Sequence, residues 1–193
     1  ATSRIQAAIN FIASLPIDAN GFRGAVLLQK GVYEVFGQLK INASGVVLRG
    51  SGINETTLLG AGTERQTLIR VVGASNKQQS NEIKITDNYV PVNAMQFSVA
   101  DASKLKVGDK IIIRRPSTKE WIEALGTEHF GGGITSLGWK AGEQDLFFDR
   151  TITDVSGLSV KIDAPLTTAL DAKFGGGFIS TYQWSDRIEN IGI

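Results

Sequence analysis

Ala25-Val26-Leu27-Leu28, Val46-Val47-Leu48-Arg49 and Leu68-Ile69-Arg70-Val71 are three short apolar segments near the start of the chain. Each has the length and residue types of a buried β-strand. Leu27 and Leu48 are 21 residues apart, and Leu48 and Ile69 are again 21 residues apart. A fixed period of this size, with several short strands per period, is typical of a solenoid whose equivalent strands stack in parallel. An antiparallel sandwich with evenly spaced turns is the alternative.

A short helix is predicted before the first of these strands. Ser3 and Gln6 have the spacing of a capping box, and Pro16 is expected to end the helix. Apolar residues recur between them at helical spacing and give the helix one apolar face. Secondary strands are expected between the three main segments, namely Val32-Tyr33-Glu34-Val35, Leu39-Lys40-Ile41 and Thr57-Leu58-Leu59.

The first 73 residues resemble the N-terminal part of right-handed parallel β-helix proteins of the pectate-lyase-like superfamily. The resemblance rests on Ile5-Gln6-Ala7-Ala8-Ile9, Gly24–Leu28, Gly31-Val32-Tyr33 and Ser44-Gly45-Val46-Val47-Leu48-Arg49-Gly50-Ser51-Gly52. It implies that the helix caps the open end of the β-helix. It implies a fold more strongly than a reaction, because lyases, hydrolases, esterases and non-catalytic adhesins share this scaffold.

The middle of the chain loses the 21-residue spacing. Strands are expected at Lys110–Arg115 and Phe178–Tyr182, and a hairpin is expected where Ser156-Gly157 separates two alternating segments. The predicted organisation is therefore all-β. Residues 1–75 form the cap helix and first coils, residues 82–184 form an inserted antiparallel, barrel-like β module, and residues 187–193 return to the β-helix.

A strand that ends at Ile193 would have no following coil to cover its edge. Bare coil ends promote aggregation, and solenoids therefore carry end caps. We accordingly expect the chain to be an N-terminal fragment of a longer protein, with the remainder of that protein as one of its partners.

Composition excludes several classes of function. Lys plus Arg number 20 and Asp plus Glu number 19, so the clustered positive excess of a nucleic-acid-binding protein is not evident. No apolar run approaches the roughly 20 residues that span a bilayer. The chain has no Cys and one His, which excludes thiolate nucleophiles, disulfides and two-His zinc sites. No cofactor is evident. Calcium is left open, although no local cluster of Asp supports it.

The segment from Arg114 to Arg150 is rich in loop residues and holds two of the three Trp and the only His. Aromatic rings can stack on the flat C–H faces of sugars, and Arg binds carboxylates in a bidentate manner, so an acidic polysaccharide is the expected ligand. Packing of the two Trp onto the module is the competing interpretation. The candidate substrate-binding residues are Arg114, Arg115, Lys119, Glu120, Trp121, His129 and Trp139.

Catalytic residues are not identified. Glu120 and Glu123 would share one face of a helical turn, and Asp145 and Asp149 would do so if helical. Paired acids serve glycosidases, but sequence spacing does not give their separation.

The leading function is that of a carbohydrate-active β-helix protein, part of a polysaccharide lyase or glycoside hydrolase that acts on an extracellular, acidic polysaccharide. The alternatives are a non-catalytic glycan-binding or adhesin module and a structural fragment of a larger β-helix protein. The expected location is secreted, periplasmic or at the bacterial cell surface.

Overall fold

The computed structural model describes residues 1–129 and 138–193, in two compact units. The first unit comprises residues 1–76 and 184–193, and the second comprises residues 77–183. The elements of the first unit are α1 (Thr2–Ser14), β1 (Gly24–Leu28), β2 (Gly31–Val35), β3 (Leu39–Ile41), β4 (Val46–Gly50), β5 (Thr56–Gly60) and β6 (Ile69–Val71). Those of the second are β7 (Gln78–Gln79), β8 (Ile83–Lys84), β9 (Tyr89–Val90), β10 (Gln96–Ser98), β11 (Lys110–Arg115), α2 (Lys119–Leu125), β12 (Leu146–Ser156), β13 (Ser159–Ile162), β14 (Leu170–Asp171), a 3-10 turn (Ala172–Phe174) and β15 (Phe178–Gln183).

Helix α1 covers the backbone of a strand as well as burying its own apolar face. Ile5 and Ile9 are buried in the core of the first unit. The amide of Gln6 donates to the carbonyl of Lys40 at 3.0 Å and accepts from the Lys40 N–H at 2.8 Å. The side chain thus pairs with β3 as a neighbouring strand would, which shields an edge that could otherwise recruit another chain.

The predicted capping box does not form. The helix begins at Thr2, and Ala1 occupies the N-cap position with no side-chain hydrogen bond. Ser3 lies inside the helix, and Gln6 is engaged with Lys40 instead of the helix start. A tertiary contact has therefore replaced the local one that the spacing suggested.

Three pairs of parallel strands form the first unit. β1 pairs with β4, β2 with β5 and β3 with β6, so that each strand of one pass is followed by its partner in the next pass. Val26 lies opposite Leu48, Tyr33 opposite Leu58 and Leu39 opposite Ile69. The C-terminal segment adds a further parallel bridge, between Val47 and Gly192.

The constant 21-residue repeat is wrong for the third segment. Ile69 lies beside Leu39 on another face of the unit, and Leu48 lies beside Val26. Partners are 22 residues apart on the first face and 30 on the third. The turns between strands differ in length, so equal spacing along the sequence does not mean equal position in the coil.

The second unit is built on an antiparallel sheet of seven strands. Its order is β10-β13-β12-β11-β15-β7, with β8 also paired to β15. The hairpin around Gly157 is formed by β12 and β13, as the sequence predicted. These strand pairs do not close into the expected barrel. An isolated bridge between Ile85 and Val99 links the segments that follow β8 and β10.

The core of the second unit explains the position of β11. Ile111 and Ile113 are fully buried and alternate with residues of the opposite face, as expected for a central strand. Arg115 continues the same alternation, so this arginine occupies the core-facing row at the end of the strand, while Arg114 belongs to the other row.

Candidate functional site

Three residues separate β11 from helix α2, which carries Trp121. Its N-cap residue, Thr118, accepts a hydrogen bond from the Trp121 N–H at 3.3 Å. Its C-cap residue, Gly126, has a φ of +64°, in the left-handed region that favours glycine. Ile122 is buried and anchors the helix. Local capping and one apolar anchor thus fix the orientation of a short helix.

Trp121 and Trp139 form a stacked pair. Their ring centroids are 5.8 Å apart and their planes differ by 18°. Both side chains are partly exposed. The backbone N–H of Trp139 donates to the carbonyl of Thr127 at 2.9 Å, which holds the second ring beside the helix end. Both rings are packed against neighbours and partly exposed, so the two expected roles, packing and ligand contact, are compatible here.

Arg115 lies beneath this pair and is almost completely buried. Its side chain is 6% exposed, and its guanidinium carbon is 4.0 Å from the Trp121 ring centroid. Burial lowers the pKa of Arg115, and the charge of Asp145 partly offsets this. Its Nη1 makes no hydrogen bond within residues 1–129 and 138–193. The guanidinium of Arg115 is therefore stabilised by a cation–π contact with the Trp121 ring rather than by an ion pair with a carboxylate.

Arg114 is engaged by two carboxylates. Its Nε and Nη2 donate to Glu82 at 2.6 and 2.7 Å, and its Nη1 donates to Asp145 at 2.8 Å. The hydrogen bonds from Arg114 hold the pKa of Glu82 below its usual value, and in turn they raise that of Arg114. The fork that was expected to bind a substrate carboxylate is thus filled by the protein's own acids.

Ser117 and Asp145 form a polar centre that the sequence did not indicate. Ser117 is 1% exposed. Asp145 Oδ1 accepts from the backbone N–H and the hydroxyl of Ser117, and the Ser117 Oγ in turn accepts from the N–H groups of Gly142 and Gln144, at 3.1 and 3.0 Å. Burial raises the pKa of Asp145, but the hydrogen bonds from Ser117 and Arg114 outweigh it and the net shift is downward. The partners are separated by 28 residues, and no local pattern signals the contact.

The remaining predicted ligand contacts lie on or just after α2. Lys119 forms an exposed pair with Glu123 at 3.5 Å, four residues along the helix. Glu120 is exposed in the first helical turn. His129 is exposed in the bend that follows the helix. The Gly131–Gly133 run, expected to be a flexible turn, lies outside the described residues.

The two acid pairs differ in outcome. Glu120 and Glu123 both lie on α2 at helical spacing. Asp149 lies within strand β12 and Asp145 directly precedes it, so the helical pairing expected for these two is wrong. Four residues of extended chain cover about 13 Å, which exceeds the separation of a glycosidase acid pair. Asp149 Oδ1 instead accepts a hydrogen bond from the Tyr182 hydroxyl, at an O–O distance of 2.7 Å.

Neither a metal cluster nor a membrane-spanning helix is found in the part of the chain that the structure describes. There, no three His, Asp or Glu side chains are grouped so as to hold a metal ion. No helix there is both long enough and apolar enough to cross a bilayer.

Comparison with known proteins gives structural neighbours alone. No protein-family model matches the chain, and no curated protein matches it in sequence. Three solved phage tailspikes are similar over most of this chain. The tailspike Gp54 of Acinetobacter baumannii bacteriophage AP22, solved in complex with A. baumannii capsular saccharide, is 13% identical, with a TM-score of 0.44 over 98% of this chain and 25% of its own.

The other two tailspikes come from Pseudomonas phages. Gp61 of phage phi297 is 16% identical, with a TM-score of 0.47 over 91% of this chain and 24% of its own. Gp49 of phage LKA1 is 17% identical, with a TM-score of 0.33 over 92% of this chain and 24% of its own. The chain thus spans about a quarter of the length of these proteins. At TM-scores below 0.5, these likenesses assign no function to it.

Proposed function

We propose that this chain forms part of a right-handed parallel β-helix protein of the pectate-lyase-like type, and that its second unit binds an extracellular polysaccharide. The observation that carries the binding proposal is the partly exposed, stacked pair of Trp121 and Trp139. Sugar rings have apolar C–H faces, and a rigid aromatic surface contacts them at low entropic cost because it is already ordered.

The β-helix assignment is supported by the order of the parallel pairs. Three strands of one pass are each followed by a parallel partner in the next pass, and the Val47–Gly192 bridge begins a third layer on the first face. Helix α1 covers the β3 backbone at the start of this arrangement through Gln6. These are the features expected of the first coils of a capped solenoid.

Binding is preferred over catalysis because of what the acids near the Trp pair already do. Glu82 and Asp145 are both hydrogen-bonded to Arg114, and their pKa values are lowered rather than raised. A general acid in a glycosidase needs a raised pKa, so neither carboxylate has that property. We therefore propose glycan binding as the role of this region, with neither of these two carboxylates acting as the general acid of a glycosidase.

Calorimetric titration of the chain with oligosaccharides, uronate-containing and neutral, tests the proposal. Trp121→Ala is expected to weaken binding about five- to thirtyfold, because one stacked ring contributes about 1–2 kcal/mol. Leu125→Ala is the matched control, since Leu125 lies on the same helix and is 51% exposed. If the Trp121→Ala and Leu125→Ala variants are both folded and bind the oligosaccharide equally well, the Trp121–Trp139 pair is not the aromatic platform that contacts the sugar. New reducing ends or an unsaturated product would show that the chain is an enzyme.

A further inference from the structure

A cleft in the second unit, at the other end of β11 from the Trp pair, is lined by lysines and glutamines. Lys110 begins this strand and Arg115 ends it, which places the two features roughly 17 Å apart along the sheet. The cleft has a volume of about 390 Å³. The side chains used in the argument are Lys104, Lys106, Lys110, Gln78, Gln79 and Gln183.

The three lysines give the cleft an excess of positive charge. All three are exposed, and none forms an ion pair with any residue in the described ranges. The acid among the lining residues is Asp109, which accepts a hydrogen bond from the Lys106 backbone N–H at 3.0 Å. Asp101 lies just beyond, three residues before Lys104 in the sequence. With these two acids counted, the lysines still outnumber the carboxylates.

The glutamines supply groups of a different kind along one side of the cleft. Gln78 lies opposite Gln183, and Gln79 opposite Tyr182, where β7 forms the end of the sheet. Carboxamide side chains both donate and accept hydrogen bonds, as sugar hydroxyls do. Tyr182 is buried beneath them, and the Lys77 ammonium is 5.7 Å from its ring centroid. A fourth cation therefore lies beside the same cleft.

We propose that this cleft binds the carboxylate-bearing sugars of an acidic polysaccharide. The inference deepens the proposed function and rests on it, since the cleft would select uronate residues of a glycan that the Trp pair also contacts. Lysines recognise carboxylates as point charges and steer an anionic chain toward the protein, while the glutamine amides pair with ring hydroxyls. The glutamine amides can hydrogen-bond the ring hydroxyls that accompany each carboxylate, which favours a uronate chain over a phosphate backbone.

Binding of oligogalacturonate is the test, with the same oligosaccharide reduced to its neutral alcohol form as the matched probe. The triple variant Lys104→Gln, Lys106→Gln, Lys110→Gln should lose about tenfold in affinity for the uronate, since three weak, solvent-exposed charge contacts are removed together. Its affinity for the neutral probe should be unchanged. The control Lys30→Gln, Lys40→Gln, Lys161→Gln changes net charge equally outside the cleft and should bind the uronate as wild type does.

Several outcomes would overturn the assignment. These are equal wild-type affinity for the charged and neutral probes, equal losses in the two triple variants, or displacement of the uronate by a single-stranded oligonucleotide at the same concentration. The proposed function is judged separately, by Trp121→Ala with the neutral probe. Unchanged neutral binding by that variant would reject the aromatic platform, whatever the lysine variants do.

Discussion

The Asp145 carboxylate accepts both hydrogen bonds that Ser117 can donate, from its backbone N–H at 2.7 Å and from its hydroxyl at 2.8 Å. This contact joins the segment that follows β11 to the one that precedes β12. Arg114 binds the other oxygen of the same carboxylate. Asp145 therefore fixes the end of β11 and the segment that leads into α2, the helix that carries Trp121.

Asp145→Asn should destabilise the second unit by about 2 kcal/mol, because it replaces charge-assisted hydrogen bonds at a mostly buried position with weaker or mismatched ones. Asp154→Asn is the control, since Asp154 forms a half-exposed pair with Lys161 and should cost less than about 1 kcal/mol. Urea denaturation at neutral pH measures both variants. Similar losses for the two would contradict the role given to Asp145.

Stability should also fall in acid because of the same group of residues. The pKa values of Glu82 and Asp145 are lowered in the folded chain from ordinary values of 4.5 and 3.8. A depressed carboxyl pKa contributes stability that is fully present above the unfolded value and is lost as pH falls through the folded value. We expect urea midpoints to decline below about pH 4.5 and Asp145→Asn to show a shallower decline. An unaltered profile in this variant would contradict the assignment.

The two adjacent arginines should differ in how much stability the chain loses when their charge is removed. Arg114→Met leaves Glu82 and Asp145 without their cation and should cost more than about 2 kcal/mol. Arg115→Met removes a buried cation whose Nη1 lacks a hydrogen-bond partner in the described structure, and should change stability by less than about 1 kcal/mol. Thermal and urea unfolding compare the two variants. The reverse order of stability losses would refute this division.

Gly45→Ala tests the packing of the first unit. Gly45 has a φ of +76°, and an added Cβ would lie 2.6 Å from the Gly21 carbonyl oxygen. Gly37→Ala also has a positive φ, of +90°, but its Cβ would meet nothing closer than 3.9 Å. Both changes cost about 1 kcal/mol for the backbone conformation, and Gly45→Ala should cost at least about 1 kcal/mol more for the clash. Equal melting temperatures for the two variants would show that Gly45 and the Gly21 carbonyl are not in close contact.

Strand identities, the parallel pairing of the first two apolar segments and the hairpin at Gly157 were predictable from the sequence, whereas the pairing of the third apolar segment was not. The Lys110–Arg115 strand and the turn at Gly157 have local signals, in alternation and turn residues, and both are present. The neighbour of Ile69 depends on the lengths of several turns, which no local pattern encodes.

The candidate site divides in the same way. Alternation along β11 gives Arg114 and Arg115 opposite faces, so their different environments could have been anticipated. Asp145 could not, because its partners Ser117 and Arg114 are 28 and 31 residues away.

Two-dimensional ¹H–¹⁵N NMR of the three tryptophan indoles directly tests whether Trp121 and Trp139 contact a bound glycan. Trp121 and Trp139 belong to the proposed platform, whereas the Trp184 indole N–H donates to the Ala74 carbonyl in the first unit, at 2.7 Å, and serves as an internal reference. Titration with a bound oligosaccharide should shift the Trp121 and Trp139 indole signals and leave the Trp184 signal in place. If the Trp121 and Trp139 signals do not move at saturating glycan, the pair does not form the proposed glycan-binding platform.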